Sequence, residues 1–152
     1  VFGGKTCSQL SCSECGNITR KFEIFLNLNL EIKGLSSLNA SLDHLIIPEN
    51  VDNYFCEKCQ KKVTISKRNL IASLPNVLIV YLNRIRFNYE IERHEKINSL
   101  LEFPKDINLK NYTIEEQFRK LNIEETDQIY MKDNSYYDYN LVGVNVHIGS
   151  AD

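Results

Sequence analysis

Two Cys-x-x-Cys pairs, Cys12-Ser13-Glu14-Cys15 and Cys56-Glu57-Lys58-Cys59, stand 40 residues apart and restrict the fold more than any other feature of the chain. Each pair can offer two thiolates from one tight turn, and together they complete a tetrahedral set. Zinc favours four sulfur ligands at about 2.3 Å, and four thiolates leave no position open for water or substrate, so such a site is structural. Cys12, Cys15, Cys56 and Cys59 are therefore the expected ligands of one zinc ion. The alternative is four buried cysteines packed as small hydrophobes, but Ser13, Glu14, Glu57 and Lys58 are poor company for a core. Two distant pairs also fit a zinc ribbon better than a thioredoxin-like redox motif. Cys7 is left over and carries no activating signature.

At 152 residues the chain has the size of one ordinary domain, able to bury a real core. Lys and Arg total 18 against 20 acidic residues, so the basic face expected of a nucleic-acid ribbon is missing and no nucleic-acid partner is expected. No apolar run approaches the roughly 20 residues that span a bilayer, so no membrane partner is expected either. The odd cysteine count, the clustering and the lack of a signal pattern argue for reduced thiols, which places the protein in the cytosol or nucleus. The chain opens on Val1-Phe2-Gly3-Gly4 without a methionine and closes at Gly149-Ser150-Ala151-Asp152 after a strand-like run. The expectation is a segment of a longer protein.

Hydrophobic periodicity supplies the rest. Phe22, Ile24, Leu26, Leu28, Leu30 and Ile32 alternate, which predicts one long strand with a buried face. Ser36 or Ser37 can cap a short helix carrying Leu38, Leu42, Leu45 and Ile46 on one side, stopped by Pro48. Residues 50–53 read as a loop, Val63 and Ile65 as part of a strand, and Val77 to Leu82 as a central strand covered on both faces. The charged run 88–96 reads as a loop or hairpin, and Phe103-Pro104 and Leu109 to Tyr112 as short extended pieces. Ile114, Phe118 and Leu121 mark a short helix, and Val142, Val144, Val146 and Ile148 a last strand. These elements make an α+β fold, mainly antiparallel β.

The histidines carry little. His94 lies in a charged loop and His44 on the short helix, both ordinary surface or boundary positions. His147 beside Gly149 invites a proton-transfer reading, yet no activated thiol accompanies it.

Taken in order, these segments resemble the catalytic domain of the ubiquitin-specific proteases, the papain-like cysteine deubiquitinases. Phe2-Gly3-Gly4 followed by Cys12 and Cys15 looks like the entry into that family's zinc-binding fingers. Ser41-Leu42 with Glu49, then Asn53 through Lys62 and Lys67-Arg68, is similar to its second knuckle. Leu74-Pro75-Asn76-Val77-Leu78-Ile79 resembles the approach to the palm strand, with Lys96-Ile97-Asn98 and Glu102-Phe103-Pro104 after it. Tyr139 through Ser150 is similar to the strand leading to the histidine box. The second knuckle and Asn111-Tyr112-Thr113 look most like the large fat-facets type enzymes. One departure is Leu82-Asn83-Arg84-Ile85, where the family has Leu-Lys-Arg-Phe.

The resemblance implies zinc-ribbon fingers with a short helix over about 1–69 and a palm sheet over about 70–152, with a surface insertion at about 113–138. It implies a deubiquitinase that hydrolyses peptide or isopeptide bonds at the C-terminal glycine of ubiquitin, with ubiquitin and ubiquitinated proteins as partners. It further implies that the nucleophilic cysteine box lies upstream of the fingers and the histidine box just past Asp152, so this segment is expected to be inactive alone. Ser99 to Pro104 and Ile148 to Asp152 resemble the loops bordering the channel for ubiquitin's tail, and Leu101 and Phe103 are the expected contacts there. Core packing beside Pro104 is the competing role for both. An inactive ubiquitin-binding scaffold and an unrelated zinc-ribbon interaction domain are the alternatives.

Overall fold

A computed structural model describes residues 1–121 and 132–149 of the chain. The architecture is the expected α+β type with mostly antiparallel strands. Its largest unit is a four-stranded antiparallel sheet built from two hairpins: β1 (Gly4–Cys12) with β2 (Ile18–Phe25), and β4 (Glu49–Cys56) with β5 (Lys61–Ser73). The order is β2-β1-β5-β4, so β1 and β5 meet in the middle and each hairpin tip lies at the same end.

Between the hairpins run β3 (Leu28–Leu30) and α1 (Leu38–Ile46); β3 pairs in parallel with β6 (Val80–Leu82). A parallel pair needs a long crossover, and here α1, β4 and β5 supply it. Ser37 caps α1, its hydroxyl accepting from the Ala40 N–H at 3.1 Å, as the sequence indicates. Next come the hairpin β7 (Ile85–Asn88) with β8 (Arg93–Lys96), then β9 (Asp106–Asn108), α2 (Ile114–Lys120) and β10 (Asp138–Asn140), which returns to β9. No helix among the described residues is long and apolar enough to cross a membrane.

The main core lies where α1 and β3 pack with the far end of β5: Leu28, Leu30, Leu42, Ile71, Leu74, Leu109, Tyr112 and Tyr137. A second, much smaller cluster lies at the hairpin tips and consists of Cys12, Cys56, Val63 and Ile65, flanked by Leu10, Cys15 and Cys59. Phe118 and Tyr137, within the stretch read as a surface insertion, are buried, while residues 122–131 of that stretch lie outside the described residues.

Four strand expectations need correction. The alternating run from Phe22 to Ile32 is two strands, because the chain leaves β1 after Phe25 to pair with β6. Only Leu28, Leu30 and Ile32 are buried, and Phe22, Ile24 and Leu26 face outward. Residues 50–53 belong to strand β4, and they read as a loop because the ladder slips between Val51 and Tyr54, where Asn53 takes φ 60°. Val77 to Leu82 yields only the three residues of β6, with Ile79 and Tyr81 exposed rather than covered. Val142 to Ile148 pairs with no strand among the described residues, and its four aliphatic side chains are exposed.

Candidate metal centre

The two knuckles share one backbone design. In the first, the Cys12 N–H donates to Asn17 O at 2.9 Å and the Gly16 N–H donates to Cys12 O at 3.1 Å. In the second, the Gln60 N–H donates to Cys56 O at 2.8 Å. Each turn closes on a left-handed residue directly after its second cysteine, Gly16 at φ 66° and Gln60 at φ 55°. Glycine accepts that conformation without steric cost, whereas glutamine is strained there.

Sheet pairing then brings the knuckles together. Ser13 leans on β5 through its N–H and its hydroxyl, both donating to Thr64 O, at 3.3 Å and 2.6 Å. Lys61 of the second hairpin pairs with Glu14 of the first at 2.5 Å. Both side chains are solvated, so this ion pair steers more than it stabilises. Sequence inspection passes over Ser13 and Lys61 as braces because a single serine or lysine carries no spacing signal.

The result is a cluster of four thiols whose sulfurs all lie within 4.8 Å of one another. The close approaches cross between knuckles, Cys12 Sγ to Cys59 Sγ at 3.8 Å and Cys15 Sγ to Cys56 Sγ at 3.7 Å. A regular tetrahedron with metal–sulfur bonds of about 2.3 Å has edges of about 3.8 Å. The separations match that edge and lie well beyond the roughly 2.05 Å of a disulfide. Cys12 and Cys56 are buried and Cys15 and Cys59 partly so, which shields the centre from water on the sheet side. The donor set fits a metal held by four protein ligands, with no place for a substrate.

The thiols are electrostatically unequal without a metal. The Cys15 N–H directed at the Cys12 sulfur brings that thiol down to about 7, against the opposing effect of burial, with the Glu14 N–H helping. Hydrogen bonding with Cys15, then burial, pushes Cys59 up to about 12. One sulfur is thus ready to ionise beside another that holds its proton. A metal must displace such protons to bind, which couples its affinity to pH.

The remaining candidates are dispersed. Cys7 has no solvent exposure, in the middle strand between β2 and β5. His94 sits edge-on to Phe87 with ring centroids 5.4 Å apart, and His44 lies in the last turn of α1. The backbone carbonyl of His147 accepts from Lys96 Nζ at 3.0 Å. Leu101 is buried at 4% exposure, whereas Phe103 is 46% exposed and Leu100 79%.

Similarity to known proteins agrees with this geometry. Human ubiquitin carboxyl-terminal hydrolase 9Y is 35% identical over 163 residues, covering 99% of this chain and 6% of that protein. The probable ubiquitin carboxyl-terminal hydrolase FAF of Drosophila melanogaster is 34% identical over 159 residues, again covering 99% and 6%. The chain thus spans only a small part of these relatives. The solved SAGA Ubp8/Sgf11/Sus1/Sgf73 DUB module bound to ubiquitin aldehyde contains a chain that superposes with a TM-score of 0.77 at 29% identity, covering 99% of this chain and 31% of that one. The family model for ubiquitin carboxyl-terminal hydrolases matches residues 1–152, the full length, and the chain therefore belongs to the ubiquitin carboxyl-terminal hydrolase family.

Proposed function

We propose that this chain is the ubiquitin-recognising, zinc-binding part of a cysteine-type deubiquitinase that cleaves peptide or isopeptide bonds at the C-terminal glycine of ubiquitin. The observation that carries the reading is the four-thiol cluster at the tips of two paired hairpins, in a chain of this family. Four thiolates in a closed tetrahedral arrangement suit zinc or iron, and membership of this family favours zinc. A superposable chain belongs to a module described as bound to ubiquitin aldehyde, which supports ubiquitin as the partner.

In this reading residues 1–69 are the fingers and 70–152 the palm. The zinc ion, when bound, supplies rigidity and no chemistry, because its coordination is filled by Cys12, Cys15, Cys56 and Cys59. The fingers hold the globular body of ubiquitin, and segments 99–104 and 148–152, the last three residues of which lie outside the described residues, are assigned to the channel for its tail. Phe103 presents its ring toward solvent and is the better placed of the two expected contacts; Leu101 packs inward and shapes the loop. Nucleophile and base come from residues outside this chain, where a cysteine thiolate attacks the scissile carbonyl with histidine as its base. The reduced thiols suit a cytosolic or nuclear protein.

The test has two parts. Metal analysis of the purified chain should give one zinc ion per molecule, and a protein that contains this chain together with its flanks should turn over a fluorogenic ubiquitin C-terminal substrate. Zinc near zero with the fold intact in chelator removes the metal from the function. A zinc-loaded, folded protein that neither binds nor cleaves ubiquitin removes the deubiquitinase.

A further inference from the structure

The two outer edges of the four-stranded sheet are finished differently. On one side β4 carries an irregularity between Val51 and Tyr54, with Asn53 at φ 60°, and such a distortion spoils an edge as a template for a further strand. On the other side β2 keeps an unbroken register with β1 from Gly4↔Phe25 to Ser11↔Ile18, and it contains neither proline nor glycine. No strand among the described residues pairs with its outer edge. Phe22 is 56% exposed and Ile24 76%, so this straight edge also carries apolar side chains, the combination that invites pairing with another chain.

The register fixes which backbone groups face outward. At the hairpin tip the Cys12 N–H donates to Asn17 O, and on the other side of β1 the Ser13 N–H donates to Thr64 O. Alternation along an antiparallel ladder then directs the even residues of β1 toward β2 and the odd ones toward β5. In β2 it is Lys21 and Glu23, opposite Ser8 and Thr6, that turn their N–H and C=O groups to β1. Arg20, Phe22 and Ile24 turn theirs outward.

Side chains at alternate positions share a face. Phe22 and Ile24 lie on one face of β2, and Lys21 and Glu23 lie on the other, where they form an ion pair at 2.7 Å. Lysine on an edge discourages a foreign strand. An identical strand running antiparallel about a two-fold axis through Phe22 is received differently. Phe22 then meets its counterpart through the outward N–H and C=O groups, Lys21 falls opposite Glu23, and Glu23 falls opposite Lys21. Arg20, which donates to Gln9 and lies over the Phe118 ring, falls opposite Ile24. Directly opposed side chains stand about 4.5–5.5 Å apart at Cβ, where opposite charges attract and like charges repel. Moving the axis by one residue sets Lys21 against Lys21 or Glu23 against Glu23, so charge selects the register centred on Phe22.

We propose that β2 is the docking edge for a second copy of this chain, with two β2 strands pairing antiparallel about Phe22 to join their sheets into one. A contact of this symmetry needs a patch that matches itself, and Lys21-Phe22-Glu23 supplies the match. The Phe22 rings pair across the axis on one face, and two Lys21 to Glu23 pairs close the other. The joined segment is short, so the dimer is weak, with a dissociation constant on the order of 10 µM.

The experiment uses the protein that contains this chain with its flanks, followed by sedimentation equilibrium and hydrogen exchange at concentrations below and above that constant. Wild type should pass from monomer to dimer, and exchange in the peptide 18–25 should slow as the dimer fills, because the N–H groups of Arg20, Phe22 and Ile24 gain acceptors. Lys21→Glu and Glu23→Lys, both at solvated positions, should each weaken the dimer at least about tenfold, equivalent to about 1.4 kcal/mol. An equimolar mixture of the two variants should recover wild-type association as a mixed dimer, since two acids on one strand then meet two lysines on the other. Misfolding of either variant cannot produce that recovery. A monomer throughout the range, a dimer with unchanged exchange in 18–25, charge reversals without effect, or a mixture no tighter than either variant alone each overturns the proposal.

Discussion

Removing the metal from the hairpin tips should unfold the tips and spare the main core. The tip cluster contains only two buried aliphatic side chains, Val63 and Ile65, beside buried Cys12 and Cys56. Burying two such side chains contributes about 1.5–3 kcal/mol each. Ordering the backbone of the two knuckles, about ten residues, costs roughly 1–2 kcal/mol per residue. Packing alone therefore falls short by several kcal/mol, and a structural zinc ion, which contributes about 10–16 kcal/mol in small domains, closes the gap. The main core rests on eight buried residues with α1 and β3 and contains none of the four clustered cysteines. Hydrogen exchange followed by mass spectrometry, with and without a strong chelator, reads both regions in one sample. Peptides covering 11–18 and 54–65 should lose at least about hundredfold protection, equivalent to about 2.7 kcal/mol, while peptides covering 28–46 and 107–118 keep theirs. Cys56→Ser should reproduce the pattern without chelator. Tip protection that survives complete metal removal would refute the reasoning, because the knuckles would then be held by packing after all.

Other consequences can be measured separately. Gly16→Ala should destabilise the metal-loaded chain by about 1 kcal/mol, since φ 66° penalises a Cβ although open space surrounds it; chemical denaturation checks this, and a neutral result would mean that the turn can relax. Zinc affinity should fall as pH falls, because protons compete for the thiols. Cys59, pushed up to about 12, is protonated throughout the neutral range and alone costs about tenfold per pH unit, and Cys12, at about 7, adds to the loss as it takes up its proton near neutrality. Competition with a chromogenic chelator at about pH 7.5 and 6.5 measures the slope, and a flat profile contradicts four-thiolate binding. The isolated chain should cleave no ubiquitin conjugate; turnover abolished by His147→Ala would show instead that the active chemistry lies within it.

The four-thiol cluster is legible in the sequence because its signal is local: two Cys-x-x-Cys spacings and the turns that follow them. The short helix is equally local, with Ser37 at its start and Leu42 buried on its inner face. The strands are less legible, for reasons that particular residues make plain. Strand β1 lies inside the sheet yet reads Gly-Lys-Thr-Cys-Ser-Gln-Leu-Ser-Cys, with no apolar alternation. Its buried Gln9 is accommodated by a hydrogen bond from Arg20 Nε at 3.1 Å, which no hydrophobic pattern encodes. Conversely, Phe22 and Ile24 alternate as a core face would, but β2 is an edge strand and leaves them exposed. The contact of Lys96 with the His147 carbonyl is invisible because every residue carries a backbone carbonyl. What sequence order does carry is the family, since the two Cys-x-x-Cys knuckles, the helix between them and the segments after them resemble it in succession even where single strands are misjudged.

The most direct measurement is a titration of isotopically labelled ubiquitin with the zinc-loaded chain, following ubiquitin's amide resonances. Association costs several kcal/mol of rigid-body freedom, and the proposed function assigns part of the gripping surface to residues outside this chain, so binding by this chain alone should be weak. Shifts should nevertheless grow with concentration, cluster on one face of ubiquitin and along its C-terminal tail, and vanish when chelator removes the metal from the tips. A folded, zinc-loaded chain that leaves every ubiquitin resonance unmoved at high concentration would contradict ubiquitin as its ligand.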